Sequence, residues 1–376
     1  MNKNIVFLGG EDVSARIEIS KKIIALGYNL SIIGSESKKK FNENNINYTH
    51  YSLNRELNIF NDIKTVFQLR KILKLYKSPV IVHAFDTKPT FILPIASMGL
   101  KNILVCRTIT GVGRIFTEKS IKNDLLIFIY KCIQKIVKSN VKQTIFQNVD
   151  DYKYFIDNKL INKSKASIIK SSGINLNKYD PKNVTDISEL RQELNLEHNC
   201  VTCIMVARMV KQKGVVDYLE AAKKCYELRH KINFILVGQL DTKKDSVPLS
   251  TILKYKKYVK YLGRRSDIKQ LLSISDIFIL PTYYREGVPR VLLEASAMGL
   301  ALIATNMPGC KDVVIDGING RLVKIKDPCD LSKKIISIAN NKITLNYFAS
   351  NNESLIGEFD LNIITEKYLK VYSKIN

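Results

Sequence analysis

The sequence predicts an α/β protein of two similar domains, each a largely parallel sheet flanked by helices. Three observations predict it. Short continuous apolar runs recur along the chain, and segments with helical spacing of apolar residues alternate with them. A polar, turn-rich stretch at 173–190 interrupts the pattern, which then restarts. At 376 residues the chain is too long for one ordinary domain and suits two.

Residues 5–8 (Ile-Val-Phe-Leu) are the first strand, followed by the Gly9-Gly10 turn. Residues 16–26 form a helix on which Ile19, Ile23 and Ile24 recur, and Gly27 stops it. Residues 30–33 are the next strand, completing a β-α-β unit. Residues 79–83 (Pro-Val-Ile-Val-His) are a further strand with Asp86 just beyond it. A helix at 90–98 is closed by Gly99, and strands follow at 102–106, 143–146 and 167–169. Unbroken apolar runs of this kind suit parallel strands covered on both faces. After the break, strands are expected at 200–206, 233–237, 257–262, 276–280 and 300–304, with a helix at 215–225. Residues 361–372 read as a helix with no core of its own, expected to pack back on another domain. The expected division is 1–175, 176–350 and a helical tail, 351–376.

Composition narrows the class. No apolar stretch approaches the ~20 residues that span a bilayer, and the start of the chain reads as a buried strand rather than a signal peptide. The seven cysteines are dispersed, which fits a reducing compartment. Cys200 and Cys203 have CxxC spacing but lie in a β-branched run with no second pair, so core cysteines are expected rather than zinc ligands. The formal net charge of +24 demands an anionic partner. Nucleic acid is the poorer choice, because no zinc-finger spacing, RNP-like strand or GXXG clamp is present.

Four loops beyond strand ends carry the candidate chemistry. Gly9-Gly10 can bring backbone N–H groups close to a phosphate, or be a plain turn. Arg208 and Lys213 fall between a strand and a helix start, where the dipole disfavours cations unless an anion binds. A diphosphate suits the pair, with Arg as fork and Lys as point charge; a solvated basic turn is the bland reading. Residues 281–295 place Glu286 before a helix expected to begin near Pro289, and Glu294 within its apolar part. A carboxylate there needs a polar partner: the hydroxyls of a ribose, or an internal Arg or Lys. Glu286 can reach sugar hydroxyls, with the N–H groups from Gly287 onward facing sugar or phosphate. Residues 305–320 form a Pro/Gly loop expected to wall a cleft.

Together these segments resemble the retaining nucleotide-sugar glycosyltransferases of family 4, which have the GT-B fold, two Rossmann-like domains facing a central cleft. Residues 286–294 match the E-x7-E motif with its internal G-x-P, Arg208 and Lys213 match the basic pair, and Gly9-Gly10 match the N-terminal glycine loop. Pro308-Gly309-Cys310 with Asp316-Gly317-Ile318-Asn319-Gly320 resembles the stretch ending in D-G-x-N-G. The resemblance implies that Glu294 binds the donor ribose and Glu286 approaches the donor sugar. It also implies that Arg208 and Lys213 offset charge on the leaving diphosphate. Gly287, Val288 and Pro289 would line the donor, and the N-terminal domain would hold the acceptor. Transfer would retain anomeric configuration, with no cofactor and no essential metal. One departure stands out: Thr110 occupies about the place where many relatives carry a histidine. A threonine can hydrogen-bond a sugar but is no general base, so Asp86 and His83 become the candidates for a helping role, His83 being as readily structural.

Two first-half segments, 62–77 and 121–142, read as basic amphipathic helices suited to an anionic bilayer. The resulting expectation is a peripheral enzyme on the cytoplasmic face of the inner membrane. It would move a hexose or N-acetylhexosamine, by family frequency from UDP, to a polyprenyl-diphosphate-linked saccharide in surface-glycan assembly. The alternatives are a soluble or lipid-headgroup acceptor, and a nucleotide-binding scaffold without transfer.

Overall fold

The computed structural model describes residues 4–54, 58–113, 116, 120–185, 187–197, 199–241 and 245–375. The chain divides into two compact units. The first is Met1–Gly173 with Arg285–Gly287 and Leu361–Asn376; the second is Ile174–Tyr284 with Val288–Asp360.

The first unit runs β1 (Asn4–Leu8), α1 (Ile17–Ala25), β2 (Asn29–Gly34), α2 (Lys39–Asn42), β3 (Asn47–His50), α3 (Ile59–Leu73), β4 (Val80–Ala84), α4 (Thr87–Ala96), β5 (Ile103–Ile109), α5 (Ile121–Val137), β6 (Val141–Phe146), α6 (Val149–Asp157) and β7 (Ala166–Ile168). Its seven strands are parallel in the order β3-β2-β1-β4-β5-β6-β7. Successive side chains point to opposite faces, and both faces are buried, which is why the strands read as unbroken apolar runs. Ile5 and Phe7 pack on one side, and Val6 and Leu8 on the other with Leu69 of α3 and Leu93 of α4.

The second unit runs α7 (Ile187–Glu193), β8 (Val201–Val206), α8 (Val215–Glu227), β9 (Ile232–Val237), α9 (Leu249–Leu253), β10 (Lys260–Tyr261), α10 (Ile268–Ser273), β11 (Ile277–Leu280), α11 (Arg290–Ala297), β12 (Ala301–Thr305), β13 (Gly320–Val323), α12 (Pro328–Ala339) and α13 (Lys342–Leu355). Its parallel sheet has the order β10-β9-β8-β11-β12-β13. The last helix, α14 (Leu361–Ser373), returns to the first unit as the sequence led us to expect. Its Leu361, Ile364, Tyr368 and Tyr372 join Ile5, Phe7 and Ile81 in one core.

Both sheets reverse their winding once, between β1 and β4 and between β8 and β11. In open α/β sheets, loops beyond the strand ends at such points are where ligands bind.

Several boundaries differ from the sequence reading. β3 and β13 were not expected: β3 buries only Tyr48 of its four residues, so it has an edge strand's mixed pattern. The strand expected at 257–262 shrinks to Lys260–Tyr261. The helix expected at 121–142 ends at Val137, because Asn140 turns the chain and its side-chain amide donates to the Pro94 carbonyl at 2.8 Å; Val141 then opens β6. α4 begins at Thr87 rather than 90. Pro289 caps α11 from outside rather than occupying its first turn.

α3 and α5 flank α4 on one side of the first sheet. α3 buries Thr65, Leu69 and Leu73 but leaves Phe60 79% and Phe67 62% exposed. On α5, Ile121, Leu125, Phe128 and Ile136 are likewise exposed, Ile121 to 91%. Among the described residues no helix is long and apolar enough to cross a membrane.

Candidate active site

At the first switch point the loops after β1 and β4 meet. The Gly10 N–H donates to Asp86 Oδ2 at 3.2 Å, and the Gly9 carbonyl accepts from the Tyr51 hydroxyl at 3.0 Å. Gly9 leaves no room for a side chain, since an added Cβ would overlap Val13. Asp86 stands at the start of α4 with φ 67°, a left-handed conformation that costs energy for a residue with a Cβ. Burial and the nearby Asp86 carboxylate together push the Tyr51 phenol far above its ordinary pKa, so it stays a neutral donor. Gly9, Gly10 and Asp86 thus form one cluster, and its anionic member already occupies the Gly10 amide.

His83 is the last residue but one of β4, just before that loop, and wholly buried. Its Nε2 is 2.7 Å from the Thr108 hydroxyl and its Nδ1 2.5 Å from the Tyr372 hydroxyl. Burial, then the Arg16 charge, hold its pKa well below 6.5. Both ring nitrogens are engaged inside the core under α14, so the structure gives His83 a packing role and no access to substrate.

A second cluster forms where β5 and β6 end. The Thr110 carbonyl accepts from the Gly287 N–H at 2.5 Å. A Cβ on Gly111 (φ 117°) would overlap the backbone of residues 285–287. Asn148 caps α6, accepting from the Asp151 N–H at 2.7 Å, and its side-chain amide reaches the Glu286 carbonyl at 3.3 Å. Thr110, Glu286 and Gly287 are therefore brought together, by backbone contact rather than through the threonine hydroxyl.

In the second unit, the loops after β8, β11 and β12 interlock beyond neighbouring strand ends. The Tyr283 N–H and the Thr282 hydroxyl both donate to the Gln212 carbonyl, at 3.0 and 3.1 Å, and the Thr305 hydroxyl donates to the Thr282 carbonyl. Gly214 (φ 75°) lies so close to Pro281 that any Cβ would strike its carbonyl. This framework holds the tight turn Lys211–Lys213, immediately before α8. Arg208 precedes it, its side chain 57% exposed and paired with Asp241 at 2.9 Å. Glu294 is 9% exposed. Its Oε1 accepts from the Tyr179 hydroxyl at 2.8 Å and from Arg290 Nε at 3.1 Å, the latter pair one helical turn apart. Two polar partners thus hold the carboxylate that the sequence placed in an apolar stretch. Val288 packs on the core beside Leu292, and Pro289 is buried at the start of α11.

The D-G-x-N-G stretch is a structural turn. Asn319 is buried, accepts from the Ile315 N–H at 2.7 Å, and donates to Val313 and Asn352. Cys203 is in the core and Cys200 at its margin, donating weakly to Glu197. Among the described residues, no three His, Cys, Asp or Glu side chains converge as metal ligands. Sequence reasoning passed over Tyr179, Gln212, Asp151 and Arg285. The Asn-x-Asp-Asp start of α6 signals a cap, but nothing in it signals a partner 134 residues away.

Two Rossmann-like parallel-sheet units, with Glu286 and Glu294 at E-x7-E spacing beyond the β11 strand end, are the arrangement of a GT-B glycosyltransferase. The chain belongs to the group 1 glycosyl transferases: residues 186–355 match that family. It is 33% identical over 322 residues to the N,N'-diacetylbacillosaminyl-diphospho-undecaprenol α-1,3-N-acetylgalactosaminyltransferase of Campylobacter jejuni, covering 85% of this chain and 83% of that one. It is 28% identical to the UDP-Gal:α-D-GlcNAc-diphosphoundecaprenol α-1,3-galactosyltransferase of Escherichia coli, over 85% of this chain and 82% of its relative. Anabaena HepE in complex with UDP shares the fold, with a TM-score of 0.79 at 19% identity over 99% of this chain and 100% of that one.

Proposed function

We propose that this enzyme transfers an N-acetylhexosamine or hexose from a UDP-sugar to a polyprenyl-diphosphate-linked saccharide, with retention of configuration, in surface-glycan assembly. The likeness to the Campylobacter N-acetylgalactosaminyltransferase carries this reading, because it runs through both units. The Escherichia relative also acts on a diphosphoundecaprenol-linked sugar. The UDP in Anabaena HepE supports the choice of nucleotide.

In this reading Arg208 and Lys213 take the donor diphosphate and offset charge as it leaves. Arg208 must then exchange Asp241 for phosphate. Glu294 accepts from ribose hydroxyls while Tyr179 and Arg290 hold it, and Glu286 approaches the donor sugar. Gly287, Val288 and Pro289 line the donor. Gly9, Gly10, Asp86 and Thr110 serve the acceptor. The leaving phosphate accepts the acceptor's proton, since Thr110 is no base and His83 is enclosed.

The enzyme works at the cytoplasmic face of an anionic inner membrane. The exposed apolar residues of α3 and α5 stand beside Lys64, Lys71, Lys131 and Lys135, a pairing suited to anionic bilayer surfaces. Flotation with anionic vesicles should carry the protein upward; equal recovery with neutral and anionic vesicles would remove the electrostatic part.

The decisive assay incubates purified protein with UDP-GalNAc, UDP-GlcNAc or UDP-galactose and a synthetic undecaprenyl-diphosphate-linked saccharide. A gain of one sugar in the lipid fraction, α-linked by NMR, is expected. A β-linked product would overturn retention, and transfer only to water-soluble acceptors would overturn the lipid-linked substrate.

A further inference from the structure

Asp151 lies in the first turn of α6 with no exposed side-chain surface, and three groups, the Arg285 guanidinium, the Asn148 amide and the Val112 backbone, close on its carboxylate. Oδ1 accepts from Arg285 Nε at 3.0 Å, and Arg285 Nη2 lies 2.9 Å from the same oxygen as an ion pair. Oδ2 accepts from the Asn148 side-chain amide at 2.9 Å, and the Val112 backbone contributes a further hydrogen bond. A carboxylate in a helix's first turn has a local reason to exist, but that reason needs only the N-cap and the dipole. Full burial against a guanidinium from the 285–287 loop goes beyond it. Burial alone raises the Asp151 pKa, while Asn148 and Arg285 act in the opposite direction.

The residue next to Arg285 is Glu286. Its backbone is held on both sides, by Asn148 on its carbonyl and by Thr110 on the following N–H. The backbones touch without room for a Cβ at Gly111 or Gly287. The loop therefore has two kinds of anchor among the described contacts: close backbone packing, and a charged pair between Arg285 and Asp151.

We infer that Asp151 is a positioning residue for sugar transfer: through Arg285 it fixes the 285–287 loop and with it the Glu286 carboxylate. This rests on the reading of Glu286 as the carboxylate beside the donor sugar. Misplacement of a reacting group by about 1 Å can cost on the order of 100-fold in rate. Arg285 sets two nitrogens of one planar fork against Oδ1, one of them hydrogen-bonded, a geometry that lysine cannot supply.

The test measures transfer from whichever UDP-sugar the wild-type protein turns over fastest, with UDP affinity and melting temperature for each variant. The variants are Asp151→Asn, Arg285→Gln, Arg285→Lys, the Asp151→Asn/Arg285→Gln double and Glu286→Gln. Arg285 is partly exposed, so its variants keep the test valid if Asp151→Asn folds poorly. Arg285→Gln and Asp151→Asn should each lower kcat about 10- to 100-fold, with UDP affinity within about threefold of wild type. The double variant should be no worse than the poorer single, because both break one contact. Arg285→Lys should recover little. Wild-type kcat in Arg285→Gln, or losses that multiply in the double variant, would overturn the inference while leaving the Glu286 reading intact. Wild-type kcat in Glu286→Gln would instead remove the reading on which the inference stands.

Discussion

At the switch point of the first sheet, the loop after β1 offers an amide, Gly10 N–H, and a carboxylate, Asp86, already holds it. At the equivalent point of the second sheet, the loop after β8 carries two cations, Arg208 and Lys213, and Arg208 is held by Asp241. The strand topology around the two points is the same: the first strand of each sheet is flanked by the next strand in sequence on one side and by the third strand after it on the other. The two parallel sheets therefore place loops alike, while residue types decide what each loop can bind. The cationic loop suits a diphosphate. The acidic one is suited to hydroxyl donors, which a saccharide supplies.

Substitutions can break this contrast, and the largest effect belongs to Glu286. Glu286→Ala should lower transfer at least about 100-fold, in the range seen when one preorganised electrostatic group is removed, with little change in melting temperature; unchanged turnover would overturn its assignment. Next comes Arg208→Ala. Loss of a charge-assisted contact of about 1.5–3 kcal/mol should weaken UDP binding roughly 10- to 100-fold by calorimetry. If UDP affinity holds, the cationic loop is not the diphosphate site.

Asp86→Asn tests the other loop. It should raise the acceptor KM about three- to tenfold, the size of one hydrogen bond, and leave UDP affinity alone. An effect on UDP instead of acceptor would invert the comparison.

The remaining effect concerns stability rather than turnover and belongs to the first unit. His83 is neutral in the fold, and its pKa there is depressed below 6.5. Its contribution is thus present above about pH 6.5 and is lost as pH falls from that value toward the folded-state pKa. In that window one group changes stability by at most about 1.4 kcal/mol per pH unit. Hydrogen exchange should show the first unit weakening between about pH 6.5 and 5, and His83→Gln should flatten that slope.

The elements that could be read from sequence are those whose environment is uniform. β1, β4, β8 and β11 are covered on both faces, so nearly every residue inside them reports burial. β3 and β13 lie at sheet edges and mix buried with exposed or half-exposed positions, which blurs any period. α3 and α5 were legible as amphipathic, yet periodicity could not say that Phe67 and Phe128 would remain uncovered by the protein's own core. The same divide holds for the site. Glu286 and Glu294 stand in one local motif, so spacing exposes them. Asp151 acquires its meaning only from Arg285, and its own neighbours explain it as an ordinary helix start. His83 shows the converse: a histidine beside a strand end invites a chemical reading, and only the return of α14 reveals that Tyr372 encloses it.

That return also sets the order of assembly. The core around β1 and β4 includes Leu361, Ile364, Tyr368 and Tyr372, which leave the ribosome after the whole of the second unit. The half of the molecule that is synthesised first is therefore finished last. Until then the β1 face that Ile5 and Phe7 present has Ile19 and Ile23 of α1 against it but not α14, while the second unit already holds every strand of its own sheet. A nascent chain stopped before residue 361 should thus yield a protease-resistant second unit beside a first unit that is still readily cut.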